Sequence, residues 1–107
     1  MLGFIYNSKN RKGGKVKADL LEIINYHGLD FQVKYWFTEI YELVQAIEKD
    51  DGSEESRQHI KSELADNYNF LGQFKEFYGI TDDEMIKEQE FKNKKHLKEI
   101  EQGKWKK

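Results

Sequence analysis

Two carboxylate pairs, one on each side of a single turn sequence, constrain this chain more than any other feature. Glu39 and Glu42 lie in WFTEIYELVQAIE, and Glu63 and Asp66 lie in HIKSELADNYNFLG. Each pair is spaced i,i+3 inside an apolar pattern of helical period. Three residues turn an α-helix by about 300°, so both members of a pair project from one side within one turn. Between the pairs stand Asp50, Asp51, Gly52 and Ser53, which are turn and cap residues, with Ser53 offering an N-cap hydroxyl. Because the pairs lie at comparable distances from this turn, an antiparallel helical hairpin brings four acids face to face. Converging carboxylates repel unless a cation sits between them. Hard oxygen ligands in that number suit Mg²⁺ or Mn²⁺ rather than zinc.

The periodicity around the pairs predicts an all-α antiparallel helix bundle. A short amphipathic helix is expected over 16–27, with Leu20, Leu21, Ile23 and Ile24 apolar and Gly28 ending it in a left-handed cap. A second helix runs from residue 29 or 30 to Glu48. Its predicted stripe is Val33, Phe37, Ile40, Val44 and Ile47, with Trp36, Leu43 and Glu39 at one margin. Gln32, two turns before Glu39, falls within about 20° of it on the helical wheel. A third helix over 53–78 carries Ile60, Leu64, Tyr68, Leu71 and Phe74 or Tyr78, flanked by Glu63, Asp66, Asn69, Phe70 and Gln73, and Gly79 closes it. Thr81 followed by Asp82, Asp83 and Glu84 starts a last helix that becomes basic and ends near Gly103. Residues 1–15 read as a basic N-terminal segment, MLGFIY followed by a loop, and 16–107 as one domain.

Composition excludes several classes. The chain has no cysteine, which removes disulfides and thiolate chemistry, and no proline, which suits long helices. No run is long enough to span a membrane and no signal peptide is recognisable, so a cytoplasmic protein is expected. Charge is abundant but balanced, with a formal net of −2. The basic N-terminus is read as a solvated segment, and no nucleic-acid partner is expected. Gly13, Gly14 and Lys15 do not make a phosphate loop, because Lys9 stands where the first glycine is needed and Val16 where Ser or Thr is needed. His27, His59 and His96 show no metal-ligand spacing, and no serine sits in a nucleophile motif. At 107 residues with this many aromatics, one chain offers more apolar surface than it can cover, and a homodimer or homotetramer is expected to complete the core.

Glu39-Ile-Tyr-Glu42 and Glu63-Leu-Ala-Asp66 resemble the E-x-x-E and E-x-x-D pattern of the all-α nucleotide pyrophosphohydrolases, the MazG-like group related to the dimeric dUTPases. HGLDFQVKYWFTEIYELVQAI is similar to that family's segment leading into the first acidic helix, ELADNYNFLGQFKEFYGI to the second, and FKNKKHLKEIEQGKW to its basic closing helix. The similarity covers most of residues 20–105. Thr38 stands where many relatives have Glu, and Lys95 where Arg is frequent.

The resemblance implies an all-α NTP pyrophosphatase fold and hydrolysis of a nucleoside triphosphate, standard or deoxy, to the monophosphate and pyrophosphate, including house-cleaning of non-standard nucleotides. It implies Glu39, Glu42, Glu63 and Asp66 as catalytic metal ligands for Mg²⁺, with Mn²⁺ as a substitute. Lys92 and Lys95 would then bind phosphates, while Trp36, Gln32 and Asn69 face the base or sugar. The competing expectation is a non-catalytic helical accessory protein that binds a nucleotide or a partner.

Overall fold

The structure is a computed structural model that describes residues 12–106. The expectations for MLGFIY and for the basic residues up to Arg11 lie outside the described residues. Among the described residues four helices follow one another: α1 (Lys12–His27), α2 (Leu29–Glu48), α3 (Glu54–Phe77) and α4 (Asp82–Glu101). No strand occurs among the described residues.

The punctuation follows the residues that carry it. Ser53 caps α3, its hydroxyl accepting from the Ser56 N–H at 3.1 Å. Thr81 caps α4 in a complete capping box with Glu84, its side chain accepting the Glu84 N–H while that carboxylate accepts the Thr81 N–H. Gly79, at φ 67°, closes α3: its N–H bonds Glu76 O and the next N–H, of Ile80, reaches back to Lys75 O. Gly28 departs from expectation. Its φ is positive, but its ψ of 151° is extended rather than left-handed helical, so it re-aims the chain between α1 and α2 in a conformation open to glycine alone. The first helix also begins earlier than expected, at Lys12 rather than Val16, so residues 12–15 are helical. A Lys15–Asp19 pair at 3.4 Å braces that turn.

α2 and α3 form the hairpin, and α1 packs chiefly on α3, with only a minor contact to α2. Leu20 and Ile24 supply the buried side of α1, and Leu20 lies against Gly72 so closely that a Cβ there would meet its Cδ1 at 2.6 Å. Among the described residues α4 makes no helix-to-helix packing with the others, although Met85 and Gln89 share a groove wall with α3. Asp82 ties its start to them, through Lys17 and Lys75, both at 2.9 Å.

Which faces turn inward corrects the sequence reading. On α2 the buried positions are Gln32, Glu39 and Ala46, with Trp36, Ile40, Val33 and Leu43 half-buried; Phe37, Val44 and Ile47 of the expected stripe are exposed. On α3 the buried positions are Asn67, Phe70 and Gln73, whereas Leu64, Tyr68 and Leu71 are exposed. A two-helix contact covers only a sector of each surface, and here hydrogen bonding and a small residue select the sector. Gln32 Nε2 donates to Gln73 Oε1 at 2.8 Å, and Ala46 admits close approach. The apolar stripes are left facing outward. Among the described residues no helix is long and apolar enough to cross a membrane.

Candidate metal centre

The hairpin delivers three of the four predicted acids to one place. Carboxylate oxygens of Glu39, Glu63 and Asp66 all lie within 4.8 Å of one another. Glu39 comes from the middle of α2 and the other two from successive turns of α3, so the cluster exists only because the hairpin is in register. Glu39 is 8% exposed, and Glu63 and Asp66 are half-buried at the border of the core. Glu42 does not join. It is exposed one turn further along α2, because i and i+3 diverge by about 60° and the inward sector is centred on Glu39. It still acts on the site through its charge.

Electrostatics and hydrogen bonding both leave the cluster short of positive charge. Burial first, and then the negative charges of Glu42, Asp66 and Glu63, hold the Glu39 carboxyl above its ordinary range. Glu63 Oε1 is buried without a hydrogen-bond partner, while Glu63 Oε2 lies 3.5 Å from His59 Nε2. An acid held up by neighbouring acids, beside an oxygen with no donor, is the state expected of a ligand set that a divalent cation would neutralise. All-oxygen donors of this kind fit Mg²⁺ or Mn²⁺.

A layer of neutral groups supports the acids. Asn67, 7% exposed, donates from Nδ2 to the main-chain carbonyls of Glu39 (3.1 Å) and Glu63 (2.9 Å), and its Oδ1 accepts the indole N–H of Trp36 at 3.1 Å. Trp36 also meets Phe74 edge to face at 5.4 Å between ring centres. Sequence reasoning missed Asn67, Gln73 and His59. The available signal was spacing: Asn67 and His59 each stand one turn from Glu63, and Gln73 lies on the flank that carries Asp66.

The residues expected to contact substrate are scattered. Gln32 is buried on Gln73, with its own Oε1 unpaired, and Trp36 has its N–H committed to Asn67. Asn69 is exposed and lines a groove with Val16, Lys17 and Leu20, on the side of α3 that meets α1. Lys92 and Lys95 are on α4, paired with Glu88 and Glu99 of their own helix, and within one chain nothing brings them to the acids. The reason is α4 itself, which among the described residues makes no helix-to-helix packing with the hairpin. A groove of about 550 Å³ lined by Tyr68, Leu71, Phe74, Tyr78, Ile80 and Met85 also stands apart from the acids. Its walls are mainly apolar, with Lys75 and Gln89 also on them, and none of the clustered acids lines it.

Comparison of the chain with protein-family models, with curated proteins and with solved structures found no match.

Proposed function

We propose that the protein is a divalent-cation-dependent nucleoside triphosphate pyrophosphohydrolase of the all-α, MazG-like type, converting a nucleoside or deoxynucleoside triphosphate to its monophosphate and pyrophosphate. The observation that carries the reading is the convergence of Glu39, Glu63 and Asp66 across a register-dependent hairpin, with one carboxyl held up by burial and like charge and one oxygen unpaired. The resemblance of the two acidic motifs points to the same chemistry. Glu39, Glu63 and Asp66 would hold Mg²⁺, with Glu42 adding negative charge from the adjoining turn. Bound there, the cation would neutralise phosphate charge and lower the pKa of a water molecule.

The chain's own groups account for the rest. Glu39, whose charged form is disfavoured by burial and by its acidic neighbours, is the ligand that would gain most from the cation's charge. The half-buried setting of Glu63 and Asp66 limits competition from bulk water while leaving their outer side open to a triphosphate. Among the described residues the one basic side chain paired with these acids is His59, while Lys92 and Lys95 are engaged with Glu88 and Glu99 of their own helix. The role assigned to Lys92 and Lys95 therefore requires α4 of another copy. A homodimer or homotetramer is supported by the outward-facing Phe37, Val44, Leu64, Tyr68 and Leu71, which form apolar surface on both helices of the hairpin.

A second reading, a non-catalytic helical module, is favoured by one observation: α4 is a charged helix held to the bundle mainly by the ion pairs of Asp82, leaving most of its length free for a partner. A panel of standard and non-standard nucleoside triphosphates, assayed for pyrophosphate with Mg²⁺ and with EDTA, separates the two. The enzyme reading expects Mg²⁺-dependent release from at least one nucleotide. Absence of release from all of them, with Mg²⁺ or Mn²⁺, favours the module.

A further inference from the structure

Both polar atoms of the Asn67 side chain are engaged at the acidic site. An amide has two N–H donors and one carbonyl acceptor group; here both donors meet main-chain carbonyls, of Glu39 at 3.1 Å and Glu63 at 2.9 Å, and the oxygen meets Trp36 Nε1 at 3.1 Å. The arrangement has only one workable orientation. An indole N–H can only donate and a main-chain carbonyl can only accept, so a flipped amide would set donor against donor and oxygen against two oxygens. Trp36 Nε1 thus selects the rotamer that lets Nδ2 bridge the helices.

The two bridged carbonyls belong to the same residues as two of the three clustered carboxylates. Both residues lie in helix interiors, where their carbonyls also accept the regular i+4 N–H bond, so the Asn67 contacts are additional bonds. Removing them leaves neither carbonyl unpaired; the group it orphans is the half-buried Trp36 N–H, at a cost of about 1–3 kcal/mol that Trp36→Phe removes. Their removal also releases the constraint that holds the Glu39 turn of α2 against the Glu63 turn of α3. The acids depend on that constraint, because Glu39 has no partner on its own helix within the cluster and meets Glu63 and Asp66 only across the hairpin.

We infer that Asn67, oriented by Trp36, is a positioning residue of the acidic site, holding the Glu39 and Glu63 turns in the register that sets the affinity of the cluster for a divalent cation. The inference rests on the metal-binding reading above. That cluster has support beyond its acidity: Glu39 is more than nine-tenths buried, with its carboxylate in the cluster and no ion pair among the described residues, and Glu63 Oε1 is buried without a donor. Groups that orient metal ligands typically change affinity by about 10–100-fold when removed.

The test is direct Mn²⁺ binding, read from the paramagnetic resonance signal of free Mn²⁺, on the full chain and on Asn67→Leu, Trp36→Phe and the double variant. Asn67→Leu keeps the number and branching of the side-chain heavy atoms, in a somewhat larger volume, and removes the amide. Trp36→Phe keeps an aromatic ring against Phe74 and removes only the N–H that orients the amide. The expected result is a loss of Mn²⁺ affinity of about tenfold or more in Asn67→Leu, a smaller loss in Trp36→Phe, and a double variant no weaker than Asn67→Leu alone, because both act through one amide. Helical content in EDTA should match the parent, and the double variant, which leaves no orphaned N–H, should melt close to it, which a merely structural role would not allow together with the affinity loss. Should Asn67→Leu fail to fold, the Trp36→Phe result stands by itself. Mn²⁺ affinity within twofold of the parent in every folded variant overturns the inference while leaving the metal site in place. A parent chain that binds no Mn²⁺ overturns the metal reading, and the inference with it.

Discussion

Replacing Glu39 with Gln should make the metal-free protein more stable and the metal-loaded protein less so. The carboxylates of Glu39, Glu63 and Asp66 lie within 4.8 Å of one another. At that separation and an effective dielectric constant of about 20, two like unit charges repel by about 3.5 kcal/mol. The half-exposure of Glu63 and Asp66, salt, and the nearby His59 all reduce this, which leaves an expected gain of about 1–2 kcal/mol for removing the Glu39 charge. Gln keeps the shape and adds an N–H₂ that can donate to its acidic neighbours. For a domain near this size each kcal/mol moves Tm by about 4–8 °C.

The pH dependence gives a second check. The folded pKa of Glu39 is raised, so the cost of its ionised form is present above that folded value and disappears below the unfolded value of 4.5, where the carboxyl is protonated in both states. The Glu39→Gln advantage should therefore grow as pH rises through the raised folded pKa and fade as pH falls towards 4.5. In Mg²⁺ at about a hundred times its dissociation constant, the parent gains about 2.7 kcal/mol and the variant far less, so the order of the two melting temperatures reverses. Thermal denaturation by circular dichroism, in EDTA and in Mg²⁺ across that pH range, reads all three effects. A variant less stable than the parent in EDTA at pH 7, or a difference that does not change with pH, would refute the account of the cluster as repelling, cation-free acids.

Asp82, held at about 2 by Lys75 and then Lys17, contributes stability that is complete above pH 3.8 and is lost as pH falls from there towards 2; in Asp82→Asn the acid limb of a denaturation series should be flatter than in the parent. Gly79→Ala places a Cβ at φ 67° with nothing around it to clash, so its cost is backbone alone, about 1–2 kcal/mol by chemical denaturation, and a neutral result would contradict the left-handed closure of α3. The exposed apolar hairpin face predicts a dimer or larger species by sedimentation at micromolar concentration, and Leu71→Glu should shift it to monomer; a parent that is monomeric throughout removes the composite phosphate site with it.

Helix ends were readable from sequence because single residues carry them: Ser53, Thr81, Gly79 and Gly103 each make the local hydrogen bonds that end or begin a helix. The acidic convergence was readable for the same local reason, as two i,i+3 pairs about one turn. The direction in which each helix faces was not. Periodicity locates an apolar stripe without saying what covers it, and here the hairpin is closed by Gln32, Asn67 and Gln73, whose amides pair across it, while Phe37, Val44, Leu64 and Tyr68 face outward. Glu42 was placed in the cluster because helical spacing allows it. Its exclusion depends on which sector of α2 meets α3, a tertiary matter. Lys92 and Lys95 were read as a clamp from their charge, and only the course of α4 shows that they do not reach the acids of their own chain.

The most direct test of the central claim is pyrophosphate release from a nucleoside triphosphate by the parent, by Glu39→Gln and by Asp66→Asn, with Mg²⁺ present and each variant shown to be folded. The two substitutions remove ligands from opposite helices without changing size. If the three acids hold the catalytic cation, turnover should be Mg²⁺-dependent in the parent and reduced by orders of magnitude in both variants, since the bound cation supplies several kcal/mol of transition-state stabilisation. Near-parental pyrophosphate release by both folded variants would contradict it.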